Sequence, residues 1–345
     1  MPDIKSLAKE VWPFVVEMRR DFHRHPEPSY HEFRTTDRIA EELDKMGIPY
    51  RRFEPTGLLG EIVGGKPGKC IALRADIDAL SVKENTGLEY ASENEGFMHA
   101  CGHDTHAAML LGAAKILSAV KDELCGTVKL MFQPAEELGS GAKTIIAQGA
   151  LEGVDAAFGM HIFSQAPAGV VCMTPGVILP AADSYKLCVE GVTCHGAEPN
   201  RGVDATVAAA AIVMNLQTIA SREFSPLEPV VVTVGSLHSG TRFNVVSNHA
   251  ELEGTVRLFD EEMHRQIPGM MERIAKDTAS AFRCTASLEY NLLCDMLVNE
   301  PEMTAIATGA IEKVVGAGNV APFRRTMGGE DFSAYTHIIP CAFAG

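Results

Sequence analysis

Hydrophobic positions in the first half of the chain alternate between helical spacing and short apolar runs. Helical spacing over residues 3–47, broken at HRHPEPSYHE and stopped by Gly47, predicts helices there. A further helix is predicted over residues 104–120, with Asp104 as its N-cap. Apolar runs typical of buried strands occupy residues 70–75, 128–132 and 155–159. Because polar residues follow each run, we expect an α/β layer that gathers ligand-binding side chains at its strand ends.

The pattern changes near residue 182, where Tyr185, Leu187 and Val189 occupy alternate positions, as in a half-exposed strand. The elements predicted next are a helix, two strands, a helix and a strand, over residues 204–221, 229–237, 250–259, 260–282 and 285–293. This βαββαβ order is that of a ferredoxin-like module.

The domain organisation follows from this change of pattern and from the length. A chain of 345 residues exceeds the size at which single cores usually stop growing. We therefore predict an α/β domain in two parts, residues 1–181 and 295–345. An inserted ferredoxin-like domain, residues 182–294, interrupts it.

Composition and charge exclude some classes of binding partner and indicate a cellular location. The net charge of −15, from 45 acidic and 30 basic residues, has the wrong sign for binding nucleic acid or an anionic membrane surface. No apolar run reaches the length of a membrane helix, and residues 1–10 lack a signal-peptide core, so a cytoplasmic protein is predicted. The nine cysteines are odd in number and mostly single within apolar segments, which is typical of reduced core thiols.

The densest cluster of reactive side chains is the segment HACGHDTH, residues 99–106, just before the predicted helix. Cys101 and His103 are two residues apart, so they cannot share a helix face, but within a turn both can point at one metal ion. Any one of these histidines alone would more simply be structural. Three histidines, a cysteine and an aspartate within eight residues favour a metal site.

Acidic and imidazole groups follow the other apolar runs. Of the adjacent Glu136 and Glu137, one could bind a metal ion while the other accepts a proton from bound water. Alternatively, both could be ordinary acids of a solvated loop. Asp76 and Asp78 could orient a ligand or simply belong to a turn, and His161 could be structural. Together these strand ends offer the donors of a hydrolytic metal centre. The motifs GxSxG and HExxH do not occur.

These motifs resemble the amidohydrolase branch of the aminoacylase-type dinuclear metallopeptidases, which includes hippurate hydrolases, auxin-conjugate hydrolases and N-acyl-amino-acid amidohydrolases. The resemblance covers about residues 18–345. It rests on the ordered segments DFHRHPE (21–27), LRADIDAL (73–80), MHACGHDTHAAMLLGAAK (98–115), FQPAEE (132–137), GMH (159–161), VTVGSLHSGTRFNVV (232–246), GTVR (254–257) and MGGEDF (327–332). It implies a metallopeptidase-type α/β catalytic domain with an inserted ferredoxin-like dimerisation domain.

By matching position, the resemblance implies a ligand set for two divalent ions per subunit. The implied ligands are Cys101, His103, Glu137 and His161. Mn²⁺ or Zn²⁺ is expected, and Co²⁺ or Ni²⁺ would also suit these donors. Glu136 is implied as the general base that activates a metal-bridging water, and Asp78 as an acid that supports the site.

Three residues of the inserted domain match substrate-side positions. His195, in CHGAEP, matches a histidine that reaches the neighbouring subunit's active site and helps stabilise the oxyanion. Asn244 and Arg257 match substrate contacts, although a turn asparagine and a strand-surface arginine are simpler alternatives. The inserted module makes the dimer in this family, so a homodimer with a small-molecule substrate is expected.

The sequence departs from the family pattern at its end. Family members usually continue past residues 342–345 into a further metal-binding histidine and a closing helix, and His337 lies too early to match that histidine. The catalytic domain is therefore expected to be C-terminally truncated, with one metal ligand fewer and an exposed apolar face.

The predicted function is a metal-dependent amidohydrolase that cleaves the amide bond of N-acyl or N-aroyl amino acids. The nearest alternative is a carboxypeptidase or dipeptidase of the same chemistry. A second alternative is a catalytically weakened, metal- or ligand-binding dimer, which the missing histidine favours and the intact Glu136, Glu137, Cys101 and His103 oppose.

Overall fold

A computed structural model describes residues 3–345 of the chain, which divide into two compact units. The first unit comprises the residues up to Ile178 together with Leu297–Arg325 and Glu330–Gly345. The second comprises Leu179–Met296 and Thr326–Gly329.

Both units contain strands and α-helices. The strands are β1 (Tyr50–Arg52), β2 (Leu58–Val63), β3 (Lys66–Asp76), β4 (Cys125–Gln133), β5 (Ala156–Met160), β6 (Val171–Cys172), β7 (Gly176–Leu179), β8 (Ala181–Glu190), β9 (Cys194–His195), β10 (Val230–Ser239), β11 (Val245–Val246), β12 (His249–Leu258), β13 (Thr285–Cys294), β14 (Leu297–Asn299), β15 (Val320–Ala321) and β16 (Cys341–Ala344). The helices are α1 (Ile4–Arg24), α2 (Phe33–Met46), α3 (His103–Ala119), α4 (Gly141–Ala147), α5 (Ala205–Leu216), α6 (Glu261–Ala281), α7 (Pro301–Val315) and α8 (Ser333–Thr336). Within residues 3–345, no helix is long and apolar enough to cross a membrane.

A six-stranded mixed sheet forms the framework of the first unit, in the order β1-β2-β4-β3-β5-β16. Strands β4, β3, β5 and β16 are parallel, whereas β1 and β2 are antiparallel to their neighbours. The three apolar runs correspond to β3, β4 and β5. Because parallel strands end at one edge of a sheet, the polar residues that follow these runs are brought to the same edge.

Helices α1 and α3 cover the core beside this sheet. Met18 and Phe22 of α1 are buried with Leu111 of α3 in one apolar cluster. The two helices approach closely at Gly112, where a Cβ would lie 2.5 Å from the Cγ2 of Val15. Packing of this apolar face, rather than helix propensity, accounts for most of the stability of such helices.

The predicted N-cap of α3 is wrong by two residues. Gly102 is the N-cap, and Asp104 lies inside the first turn. The Asp104 carboxylate is buried and accepts from His23 Nδ1 at 2.7 Å, with Arg19 Nε at 2.9 Å. These charged partners from α1 draw the side chain away from the helix end.

The second unit is a four-stranded antiparallel sheet with two helices, in the chain order β8, α5, β10, β12, α6, β13. The strand order β10-β12-β8-β13 is that of a ferredoxin-like βαββαβ module. Along β8, Tyr185, Leu187 and Val189 are buried, while the positions between them are half-buried. The period of two read from the sequence thus marks the face on which the helices pack.

The nine cysteines are free thiols within residues 3–345. Only Cys284, Cys294 and Cys341 are fully buried, and Cys125 is exposed. The expectation of core thiols was therefore wrong for Cys125, because β4 begins there, before its side chains enter the core.

An apolar groove lies between α7 and the sheet of the first unit. Its volume is about 430 Å³, and it is lined by apolar side chains of α7, β3, β5 and β16. In α7 only Thr304 is buried, and Ile306 and Val314 are exposed. This helix therefore contributes little of its apolar surface to the core.

Gly126 and Gly153 both have left-handed backbone conformations but differ in steric crowding. Substituting each by alanine therefore separates the cost of crowding from the cost of the backbone conformation. A Cβ on Gly126 (φ +84°) would lie 1.9 Å from the Lys69 carbonyl oxygen, whereas one on Gly153 (φ +69°) would meet nothing within 4 Å. We expect Gly153→Ala to lower the free energy of unfolding by about 1 kcal/mol and Gly126→Ala by about 3 kcal/mol, measured by urea denaturation. Equal losses would show that crowding at Gly126 is unimportant.

Candidate metal centre

The segment from Cys101 to His103 forms a turn that leads into α3. Gly102 has φ +91°, a left-handed backbone conformation that favours glycine, and a Cβ there would lie 2.5 Å from the Cδ1 of the Ile162 side chain. The turn leaves Cys101 outside the helix and makes His103 its first residue. Cys101 Sγ lies 3.3 Å from the Nε2 of His161, which follows β5.

Asp78 orients the His103 ring. Its Oδ1 lies 3.1 Å from His103 Nδ1, and its Oδ2 accepts hydrogen bonds from the Ser29 hydroxyl (2.6 Å) and the Glu137 backbone N–H (3.0 Å). A carboxylate accepts from Nδ1–H, so one proton of His103 is held there and Nε2 is the ring nitrogen that faces the cluster. Asp78 thus joins the turn before α3 to the Glu136–Glu137 loop.

The paired glutamates follow β4 in a tight turn. Ala135 has φ +54°, and its N–H donates to Glu32 Oε1 at 2.9 Å. The turn directs both carboxylates toward His103 Nε2, which lies 3.8 Å from Glu136 Oε2 and 3.9 Å from Glu137 Oε1. The buried Glu32 therefore helps hold the backbone that presents the pair.

Hydrogen-bond accounting shows where a metal ion would fit. Buried His103 Nε2 and Glu137 Oε1 have no hydrogen-bond partner within residues 3–345. Three groups of possible ligand atoms, each within 4.8 Å, share His103: one adds Cys101 and His161, another Glu136 and Glu137, and the third Asp76 and His106. Thiolate, imidazole and carboxylate donors suit divalent transition metals. The residues present therefore fit such ions.

The protonation of this cluster reflects burial and crowded charges. Burial raises the pKa of Glu136 well above its usual value, and the nearby Glu330 and Asp331 raise it further. Burial also raises the pKa values of Glu137 and the Cys101 thiol. Burial opposes the charged form of His103, but Asp76 and Asp78 outweigh it and raise its pKa well above the usual value. Metal binding must therefore displace protons.

A buried arginine lies behind the cluster. The guanidinium of Arg74, in β3, donates to Asp76 Oδ2 (2.6 Å), Glu330 Oε1 (2.9 Å), Asp331 Oδ1 (2.9 Å) and Gln133 Oε1 (2.9 Å). Side-chain exposure is 0% for Arg74 and at most 3% for the three carboxylates. One cation thus holds three buried acids in place.

The other three predicted site residues belong to the second unit. His195 lies on β9, exposed, and its Nδ1 accepts from the Ala197 N–H at 3.1 Å. β9 pairs with β11, and the backbone carbonyl of Asn244, just before β11, accepts from Gly196 N–H at 2.8 Å. Arg257 lies on β12, half-buried, near Gly329. The roles assigned to these residues stay predictions.

Several residues of this network have no role predicted from the sequence. Arg74, Glu330 and Asp331 occur within longer motifs, and His106 occurs within the cluster of residues 99–106. A charged residue inside an apolar run, such as Arg74 in CIALRAD, was the available signal. Its partners could not be found in this way, since Glu330 and Asp331 are more than 250 residues away along the chain.

Comparison with known proteins identifies the family. Residues 72–345 match the model of peptidase family M20/M25/M40. Thermostable carboxypeptidase 1 of Saccharolobus solfataricus is 37% identical over 98% of this chain and 86% of its own. N-acetyl-L-cysteine deacetylase of Bacillus subtilis is 39% identical over 99% of this chain and 84% of its own. The solved YXEP protein of Bacillus subtilis, a dinuclear metal-binding peptidase of the M20 family, has a TM-score of 0.84 and 34% identity over 99% and 88% of the chains.

The chain belongs to peptidase family M20/M25/M40. It is a metal-dependent hydrolase that acts on amide bonds. The resemblance, the enzyme class and the fold class predicted from the sequence are confirmed.

Arg74 should contribute strongly to the stability of the first unit. Arg74→Met would leave three buried carboxylates without their cation, so we expect a loss of about 3–5 kcal/mol in the free energy of unfolding. Arg52→Met, which removes an exposed ion pair with Asp37, should cost less than about 1 kcal/mol. Urea denaturation compares the two, and similar small losses would contradict the proposed importance of Arg74.

The stability of the chain should depend on pH through the buried Glu32. Burial raises the pKa of the Glu32 carboxyl to about 7 from an ordinary value of 4.5. Between these values the folded chain keeps a proton that the unfolded chain has lost, so stability falls as pH rises through this window, by about 3 kcal/mol in all. We expect the decline between pH 5 and pH 8, measured by urea denaturation, to be smaller in Glu32→Gln by about this amount, while the raised pKa of Asp331 leaves a decline of its own. Parallel stability curves for the two proteins would contradict the raised pKa.

Proposed function

We propose that this protein is a metal-dependent amidohydrolase that releases amino acids from N-acyl or N-aroyl derivatives. The observation that carries the proposal is the convergence of Cys101, His103, Glu136, Glu137 and His161 at the carboxyl ends of parallel strands. The similarity to N-acetyl-L-cysteine deacetylase, an enzyme named for an N-acyl amino acid, supports the substrate class.

Cys101, His103, Glu137 and His161 would hold two divalent ions per subunit, Mn²⁺ or Zn²⁺. The partnerless, buried His103 Nε2 and Glu137 Oε1 support this assignment. When bound, such ions supply Lewis acidity that polarises the scissile carbonyl and lowers the pKa of water. Asp78 serves as the supporting acid because it fixes the proton of His103 on Nδ1.

Glu136 is the general base of the proposed reaction. It takes the proton of the attacking water and passes it to the departing amine nitrogen, which leaves as the amine of the amino acid. Its burial and the neighbouring Glu330 and Asp331 raise its pKa, which suits a group that must accept and then release a proton. Arg74 holds these two acids and so maintains the negative surroundings of the base.

The proposal further includes His195 as an oxyanion contact and Asn244 and Arg257 as substrate contacts. It also includes a homodimer formed through the ferredoxin-like unit. The exposure of the His195 ring leaves it accessible to a second subunit of the proposed homodimer. The Asn244 side-chain oxygen is buried without a hydrogen-bond partner within residues 3–345, so it is available to a donor. A cytoplasmic location also stays a prediction.

A carboxypeptidase is the second candidate, because a relative with that name is 37% identical over 98% of this chain. Both reactions hydrolyse an amide whose amine product is an amino acid. They differ in the group on the other side of the bond: an acyl group for the amidohydrolase, a peptide for the carboxypeptidase.

The test is hydrolysis of hippurate, N-acetylmethionine, an indoleacetyl amino acid and a dipeptide, after stripping with chelator and refilling with Mn²⁺ or Zn²⁺. We expect metal-restored activity that is highest on an N-acyl substrate. Glu136→Gln should lower kcat by about 10²–10⁴-fold while keeping its metal content, because only the base is lost. Glu137→Gln should lose metal, and exposed Glu302→Gln should behave as wild type.

A preference for the dipeptide would favour the carboxypeptidase. A folded protein that binds metal but cleaves none of the substrates would favour the weakened binding protein instead. Full activity in Glu136→Gln would exclude Glu136 as the base.

A further inference from the structure

Ile162, the residue after His161, has its two backbone polar groups held by two histidine rings. Its N–H donates to His106 Nε2 at 3.0 Å. Its carbonyl oxygen lies 2.5 Å from His161 Nδ1. The two rings also contact each other edge to face, with centroids 4.7 Å apart.

These contacts determine where the ring protons are. A backbone N–H only donates, so His106 Nε2 must be the acceptor and the His106 proton lies on Nδ1, which contacts Asp76 Oδ1 at 2.5 Å. A backbone carbonyl only accepts, so the His161 proton also lies on Nδ1. The His161 Nε2 lone pair then faces Cys101 Sγ, 3.3 Å away.

The same accounting argues against a ligand role for His106. Asp76, His103 and His106 lie close enough to hold an ion together. However, His106 uses both ring nitrogens, and Asp76 binds His106 with one oxygen and Arg74 with the other. In contrast, His103 Nε2 has no hydrogen-bond partner within residues 3–345.

His106 is buried and can therefore restrict the motion of the exposed Ile162. Asp76 and His106 are 0% and 2% exposed, whereas Ile162 is 41% exposed. The Ile162 side chain also packs against Gly102, so this one residue connects the loop of His161 to the turn of Cys101 and His103. The exposed loop is therefore secured from the buried side.

We infer that His106 is a positioning residue: through the Ile162 N–H it holds the His161 loop, and thereby sets the tautomer and direction of His161 toward the metal. This inference rests on the proposed role of His161 as a ligand. Asp76 in turn fixes the tautomer of His106. Partners of this kind, one shell outside the metal, typically contribute 10–100-fold in metal affinity.

The test compares His106→Phe, which keeps a ring but neither hydrogen bond, with His264→Phe. His264 is a matched control because it is also buried and helical and pairs with an aspartate, Asp183, at 2.6 Å, in the second unit. Long-range ¹H–¹⁵N spectra of the metal-free, full-length protein with ¹⁵N-labelled histidines report the His161 tautomer. Titration with Co²⁺ reports metal affinity.

We expect His106→Phe to lose the single Nδ1–H tautomer of His161 and to bind Co²⁺ about 10–100-fold more weakly. His264→Phe should keep both properties, whatever its stability. His106→Gln, which retains an acceptor for the Ile162 N–H, should recover at least part of the lost affinity.

A folded His106→Phe protein with the wild-type tautomer and Co²⁺ affinity would overturn the inference, as would failure of His106→Gln to recover any affinity. If His106→Phe does not fold, His106→Leu carries the same expectations. The tautomer is measured without metal or substrate, so failure of the proposed hydrolytic function would not be mistaken for failure of this inference.

Discussion

The candidate metal centre and the last segment of the first unit depend on the buried guanidinium of Arg74 and the three carboxylates it binds. Removing an ion from water is expensive, and a buried charge persists only when it is paired and fully hydrogen-bonded. Arg74 meets this condition with Asp76, Glu330 and Asp331, and its Nε donates to Gln133. Because Glu330 and Asp331 lie far along the chain, this cation also holds the last segment of the first unit against the strand ends.

The same network separates groups that support the site from groups that are free to bind. Asp76 binds His106 and Arg74, and His106 binds the Ile162 N–H. Asp78 binds His103 and the Glu137 N–H, so these residues determine ring tautomers and loop positions. His103 Nε2 and Glu137 Oε1 are left without partners among residues 3–345. Such preorganisation reduces the reorganisation that metal and substrate binding would otherwise require.

Much of the fold followed from the sequence, because burial imposes a period on side chains. The runs at 70–75, 128–132 and 155–159 became parallel strands, and Tyr185, Leu187 and Val189 marked the inner face of β8. The N-cap of α3 was missed because two partners on α1 compete for the Asp104 carboxylate. N-cap propensity considers only neighbouring residues, so it cannot predict a contact between residues more than 80 positions apart.

The sequence by itself determined the kinds of chemistry available, since spacing and strand ends place Cys101, His103, Glu136, Glu137 and His161 where ligands gather. Tertiary structure alone decided which of their atoms are free. That decision depends on hydrogen bonds between residues distant in sequence, such as His106 with the Ile162 N–H and Arg74 with Glu330. Whether a buried donor or acceptor has a hydrogen-bond partner depends on which residues surround it in the folded chain. A local sequence pattern does not contain this information, because the partners are distant in sequence.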